Sequence, residues 1–400
     1  MNLREVPRLV WVLAAARFVS SASSFLMLFL TLYLSGPRGA SVTTAGLLAG
    51  SYGAGWLLGS FTGGRWGDRL GHGRVVLVAG TVTGLGTASI PWLPLPVLAA
   101  ALPVLAYVGA TGGVSVGALS ALAVPRGDRR TSVALGRAAS NAGFVLGPPV
   151  AALLVAWSWS ALFVVEGAAM LLVRFALRPF LPSREPDSAT SPHGGFLRAL
   201  RADRALLALL PAVVVVDLVY RQLYTTLPLH LRDQGQPVVL YTALIAVGSA
   251  LILVLELPVA QRLRRFAAYP VIATGYALVG GGFLLFGLPV SALTAVLAMV
   301  VLTAGEILYK TTATAHVLDA APDHLVGQYQ GLYTGAATSG TMLAGPVGTA
   351  VYATAPGLLW PLCGVAAGAA AVVVLSLGRG RSPAGAGSGS PGTAPRPRAG

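Results

Sequence analysis

Lysine occurs once in these 400 residues, at Lys310, and cysteine once, at Cys363. A single cysteine excludes a disulfide framework and a zinc ribbon. A single lysine means that any chemistry needing an ammonium group falls on Lys310. Charge of either sign is scarce: 27 basic and 13 acidic side chains make up 10% of the chain, against roughly 25% in a soluble domain. No H-E-x-x-H, paired cysteine or nucleophile triad stands in the sequence. These shortages exclude a soluble enzyme, a disordered chain and, despite the net charge of +14, a nucleic-acid binder. Apolar residues fill the space, at 55% of positions with a mean hydropathy of +0.74. The class that remains is an all-α polytopic membrane protein.

A helix needs about 20 apolar residues to cross the hydrocarbon core. Runs between charged or Pro/Gly-rich breaks predict twelve spans, over 9–34, 42–64, 74–93, 96–124, 132–155, 159–178, 205–231, 238–260, 269–288, 291–316, 328–352 and 357–377. The first follows Arg4 and Arg8 like a signal peptide. Its apolar character resumes after Arg17 and runs to Leu34, so it reads as an uncleaved helix. An even count puts both termini on one side. That side then holds 22 of the 27 basic residues, including Arg65/Arg69/Arg74, Arg126/Arg129/Arg130/Arg137 and Arg262/Arg264/Arg265. The opposite loops hold Arg38 and Arg232. The positive-inside rule makes the arginine-rich side cytoplasmic, in the cell membrane, with loop arginines near anionic headgroups.

The polar segment 179–203 reads as a cytoplasmic linker between six-helix halves, 1–178 and 204–377, and 378–400 as a disordered cytoplasmic tail. The halves echo each other. LTLYL at 30–34 matches LPLHL at 227–231, a shift of 197, and Gly147-Pro148 matches Gly345-Pro346, a shift of 198. Arginine clusters follow the second and eighth spans at nearly the same shift. Agreement at one offset indicates a parallel duplication, as in transporters whose halves rock about a midplane site.

Seven ionisable residues fall inside predicted spans: Arg17, Glu166, Asp217, Arg221, Glu256, Glu306 and Lys310. Each costs about 2.5–3.5 kcal/mol at a helix centre, so they must face protein or a water-filled cavity. Asp217/Arg221 and Glu306/Lys310 are both acid-then-base at i,i+4, on one helix face. Tyr220, Tyr224 and Tyr309 run with them at helical spacing. Glu256, near Arg262, Arg264 and Arg265, reads as an interfacial ion pair. GEILYKT at 305–311 lacks the glycine that a phosphate loop needs before its lysine. His316, Asp319, Asp323 and His324 read as helix ends around a turn; no metal or cofactor is expected.

The motifs resemble a known family. GRWGDRLGHGR at 64–74 resembles the major facilitator superfamily signature G-x-x-x-D-R-x-G-R-R, with Gly64, Asp68, Arg69 and Gly71 in register. His72 and Gly73 stand where the family has basic residues. GRAASNAGFVLGPPVAA at 136–152 is similar to the antiporter signature ending G-x-x-x-G-P, through Gly143, Gly147 and Pro148. The stretch from Gly305 to Tyr333 resembles the tenth and eleventh spans of multidrug-resistance exporters. The resemblance covers essentially the whole chain. It implies twelve helices in two pseudo-repeats, with the first, fourth, seventh and tenth lining a cavity. It implies that Asp68 latches onto the eleventh helix near Leu325–Gln328 in the outward-open state. A gating kink at Gly143, Gly147 and Pro148, repeated at Gly345 and Pro346, follows as well. One device is missing: such exporters carry an arginine in the fourth span, and here that span has no ionisable residue.

These readings converge on a secondary transporter, a proton-coupled exporter of small amphipathic molecules powered by a proton gradient, rather than an enzyme. Its partners would be a small-molecule substrate and the bilayer, with no nucleic acid and a monomeric state. Asp217, Glu306 and, ranked lower for its peripheral helix, Glu166 are the proton-coupling candidates. Arg17, Arg221 and Lys310 would balance charge in the cavity, and the tyrosines would supply apolar contact. Counted as ionised, the cavity residues sum to +1, which favours neutral or weakly acidic compounds over permanent cations. The alternatives are a uniporter or proton symporter importing a polar metabolite and, outside transport, a membrane-embedded enzyme or receptor. Cysteine probes at Ser35 and Ser188, in a Cys363→Ala background, should label from opposite faces of the membrane. Labelling of both from one face would remove the twelve-span topology.

Overall fold

The computed structural model describes residues 3–181, 200–201, 203–289 and 291–379. Most of the predicted linker and the tail from residue 380 lie outside the described residues. Among the described residues the regular elements are all helices, in the order of the twelve predicted spans. The second to sixth run over Val42–Leu70, His72–Ser89, Leu95–Leu122, Arg129–Trp157 and Trp159–Leu177. The eighth to twelfth run over Val238–Arg262, Ala268–Phe286, Ala292–Ala320, Val326–Thr354 and Pro356–Arg379. Among the described residues ten spans are long and apolar enough to cross a membrane. The other two, Val42–Leu70 and Val326–Thr354, have 29 residues each but are rich in glycine, serine and threonine. Those two pack on each other.

The first and seventh spans are broken. The first is Arg8–Ala22 followed by Phe25–Ser35, interrupted at Ser23 and Ser24. The seventh is Arg204–Tyr220, Gln222–Thr225 and Leu227–Asp233, interrupted first at Arg221. The breaks sit almost one repeat shift apart. Elsewhere local chemistry sets the ends. The Ser41 side chain accepts the Thr44 N–H, and Ser291 and Thr294 form a reciprocal cap. Gly71, at φ +94°, takes the left-handed turn between the second and third spans.

Small residues let the helices approach closely. A side chain at Gly143 would strike the Phe18 carbonyl of the first span, and one at Gly340 would strike the Val214 carbonyl of the seventh. These contacts are equivalent at shifts of 197 and 196. The first six spans pack among themselves (second on fourth, third on sixth, first on fifth), and the last six do likewise. The two groups meet through the second and eleventh spans and through the fifth against the eighth and tenth. Gly64 stands so near the backbone of Gly327 that no Cβ fits between them.

Two expectations about arginine are corrected. Arg137 lies inside the fifth span, over two turns beyond its start at Arg129, and not in the loop before it. Arg129 and Arg130, expected near lipid headgroups, are buried and bind the other six-helix group. Arg129 donates to the Leu318 carbonyl and lies 3.7 Å from Asp319, and Arg130 donates to the Leu263 carbonyl. Arg126 pairs with Asp323 at 3.0 Å, Arg264 pairs with Asp128, and the Gly127 N–H donates to Asp319. The arginine-rich face is therefore tied shut between the groups. On the opposite face, Arg38 ties its own loop to the carbonyls of Pro91 and Leu93.

Candidate functional site

Mid-depth charge in the fifth, seventh, eighth and tenth spans gathers into one cluster. The Arg137 Nε donates to Glu256 at 2.6 Å, and an Nη of the same guanidinium donates to Glu256 and to Glu306, both at 3.3 Å. Thr311 donates its hydroxyl to Glu256. Glu306 also accepts the Tyr220 hydroxyl at 2.6 Å and lies 3.2 Å from the Lys310 ammonium. Lys310 reaches Asp217 at 4.0 Å and rests 3.7 Å from the centre of the Tyr220 ring. Asp217, Glu256 and Glu306 are all buried, Glu256 completely. In low dielectric such ions persist only when paired and hydrogen-bonded. The geometry meets that requirement at Glu256 and Glu306 through one arginine from the other six-helix group.

Several predicted residues are thus brought together: Asp217, Glu306, Lys310 and Tyr220. Others are not. The i,i+4 pair of Asp217 and Arg221 is not closed by a direct side-chain bond. The helix ends at Arg221, whose Nε turns to the Thr341 hydroxyl at 3.2 Å while its guanidinium packs on Tyr224. Glu256 bonds Arg137 and Thr311 in place of the expected Arg262, Arg264 or Arg265. Tyr309 is fully buried against Tyr276, 5.1 Å between ring centres, and faces the ninth span instead of a cavity. Arg17 lies on the first span against Gly136 of the fifth.

Glu166 has a different task. It is buried in the sixth span and accepts the Leu26 N–H at 2.7 Å, where the second half of the broken first span begins. A carboxylate there caps the orphan donors of the helix Phe25–Ser35 and suits its dipole. Neither Arg137 nor Glu256 was among the site residues expected from sequence. Arg137 directly follows Gly136 at the start of the GRAASNAGFVLGPP motif, which was the one available pointer.

At the arginine-rich face, Asp68 accepts the N–H groups of Gly327 and Gln328, both at 2.9 Å, and the Gln328 side-chain amide at 3.2 Å. The carboxylate meets the first turn of the helix Val326–Thr354, where backbone donors are unsatisfied and the dipole is positive. His72 Nε2 lies 3.2 Å from the same carboxylate. Gly64 permits the approach, Arg69 stands in the last turn of the second span, and Gly71 makes the turn beyond it. At the expected kinks, Pro148 and Pro346 lie within continuous helices. Gly143 and Gly147 contact the first span, whereas Gly345 has open space around it; Gly340 and Gly348 make the close contacts in the eleventh.

Among the described residues, long apolar helices around a buried ionic cluster define a polytopic membrane protein with a polar centre. The chain belongs to the Major Facilitator Superfamily, whose family model matches residues 12–346. It is 26% identical over 361 residues to the uncharacterized MFS-type transporter YttB of Bacillus subtilis, covering 86% of this chain and 87% of that protein. Its fold is shared with the human organic anion transporter MFSD10 (TETRAN) at a TM-score of 0.75 and 16% identity, over 92% of this chain and 98% of the other. The proton:xylose symporter XylE shares it at a TM-score of 0.71 and 14% identity, over 94% and 96%. The protein is a membrane transporter and not an enzyme.

The Arg137 pairing makes a prediction that needs no transport assay. Arg137→Gln strands the buried Glu256, while Glu306 keeps Lys310 and Tyr220, and should destabilise the purified protein by about 3–5 kcal/mol. Adding Glu256→Gln should recover a large part of that loss. Thermal unfolding of the single and double variants measures it; strictly additive losses would contradict the pairing.

Proposed function

We propose that the chain is a proton-coupled exporter of small amphipathic molecules, in which halves 1–178 and 204–377 rock about the mid-membrane cluster. The observation that carries this reading is the Arg137 guanidinium of one half bonded to Glu256 and Glu306 of the other. A proton arriving at Glu306 removes the charge that Arg137 and Lys310 share, and one at Glu256 frees the other side of the guanidinium. Either event weakens a tie between the halves and favours opening of the arginine-rich face. Substrate and proton then act on one equilibrium, which is what coupling requires. Arg137 thereby supplies from the fifth span the cation that related exporters place in the fourth. Asp68 on Gly327 and Gln328 acts as the latch that closes the same face, taken as cytoplasmic with both termini, in the cell membrane of a monomeric protein.

A second reading, proton symport or uniport importing a polar metabolite, has one observation behind it: the fourth span, Leu95–Leu122, carries no ionisable residue.

Everted vesicles with an imposed pH gradient separate the two. Asp217→Asn and Glu306→Gln should each cut gradient-driven efflux about tenfold, within the usual span of coupling energies. Glu166→Gln should matter less. Asp68→Asn should slow transport strongly while expression and insertion stay near normal. If both cavity variants respond to the gradient like wild type, antiport gives way to uniport.

A further inference from the structure

Arg17 differs from the other mid-depth cations. Arg137 has Glu256 and Glu306, Lys310 has Glu306 and Asp217, and Arg221 has the Thr341 hydroxyl. The Arg17 Nε is buried with no hydrogen-bond partner, and among the described residues no carboxylate pairs with this side chain. Three acids of its half are committed elsewhere: Glu166 to Leu26, Asp68 to Gly327 and Gln328, and Asp128 to Arg264. Its stem lies over Gly136, where a Cβ would come within 3.2 Å of Cδ, so the missing side chain makes room for it. Arg137 is the next residue in the chain. Arg137 and Lys310 are bonded to carboxylates and Arg221 to a hydroxyl, whereas the Arg17 Nε has no hydrogen bond at all.

A guanidinium stays protonated in a protein, so it cannot escape an unpaired burial by losing its proton. An uncompensated ion at this depth is costly and is retained where a pathway needs it. The planar fork suits a carboxylate or sulfonate, which it can bind bidentately. Ser20 and Ser21 follow Arg17 one turn along the same helix, both only partly buried. We infer that Arg17 is the docking group for the anionic head of an amphipathic monoanion, and that the substrate supplies the countercharge this guanidinium lacks. The inference rests on the transporter reading above and names its substrate class.

The test uses the purified full-length chain and three probes, 4-phenylbutyrate, octanoate and octanesulfonate, with 4-phenylbutylamine as the cationic counterpart. Cys363 is buried and is the single cysteine, so a thiol-reactive dye reports unfolding. At least one anion should raise the unfolding midpoint of wild type with saturable dependence, and the amine should not. Arg17→Gln should weaken that response at least about tenfold, the worth of one charge-assisted hydrogen bond, and Arg17→Lys should keep part of it. Without ligand, Arg17→Gln should be as stable as wild type or more so, because it removes an unpaired ion. An unchanged anion response in Arg17→Gln, no response to any anion in wild type, or a ligand-free Arg17→Gln as unstable as Arg137→Gln would each overturn the inference. Binding is read without a proton gradient, so a failure of proton coupling leaves this result untouched.

Discussion

Arg137 reaches out of the fifth span over two turns beyond its start and bonds two carboxylates that belong to the eighth and tenth. Glu256 is completely buried and has that guanidinium as its one cationic partner among the described residues; Glu306, nearly as buried, shares it with Lys310. That pairing fixes how the two six-helix groups sit together. Once the fifth span is drawn against the eighth and tenth, Arg129, Arg130 and Asp128 at its start meet Leu318, Leu263 and Arg264. Asp68 then reaches the first turn of the eleventh span. The closure of the arginine-rich face and the cluster in the middle belong to one arrangement of charges.

The same constraint orders the rest of the cluster. Lys310 lies between Glu306 and Asp217, while the seventh span breaks at Arg221 and that guanidinium turns towards Thr341. The first span breaks at the equivalent point, and there the orphan N–H of Leu26 is met by Glu166. Broken helices expose backbone donors inside the membrane, and each must find a partner. Glu166 meets that need, at a place apart from the carboxylates that face Arg137.

Much of this was legible in the sequence. Long apolar runs bounded by arginine mark the spans, since hydrocarbon thickness dictates their length. The contact of Asp68 with the eleventh span was legible through the family resemblance, which names that neighbour, and a carboxylate suits the positive end of a helix. Arg137 and Glu256 were not. Both lie within a few turns of a span end, where charge patterning alone cannot separate a loop anchor from an interior ion, and 119 residues separate the partners. Tyr309 was misplaced for a related reason. It follows Glu306 by three positions, at the edge of the polar face, and the burial of Tyr276 beside it drew it to the other side.

We propose that carboxylates on Arg137 help to hold the arginine-rich face closed. Distances between spin labels test it most directly, in a Cys363→Ala background, with one pair at Leu122 and Phe266 and another at Val42 and Val238. All four side chains are exposed, and each pair joins the two groups at opposite ends of the spans. The account predicts that Arg137→Gln lengthens the distance between Leu122 and Phe266 and shortens that between Val42 and Val238. Distance distributions identical to wild type in both pairs, in a folded protein, would contradict it.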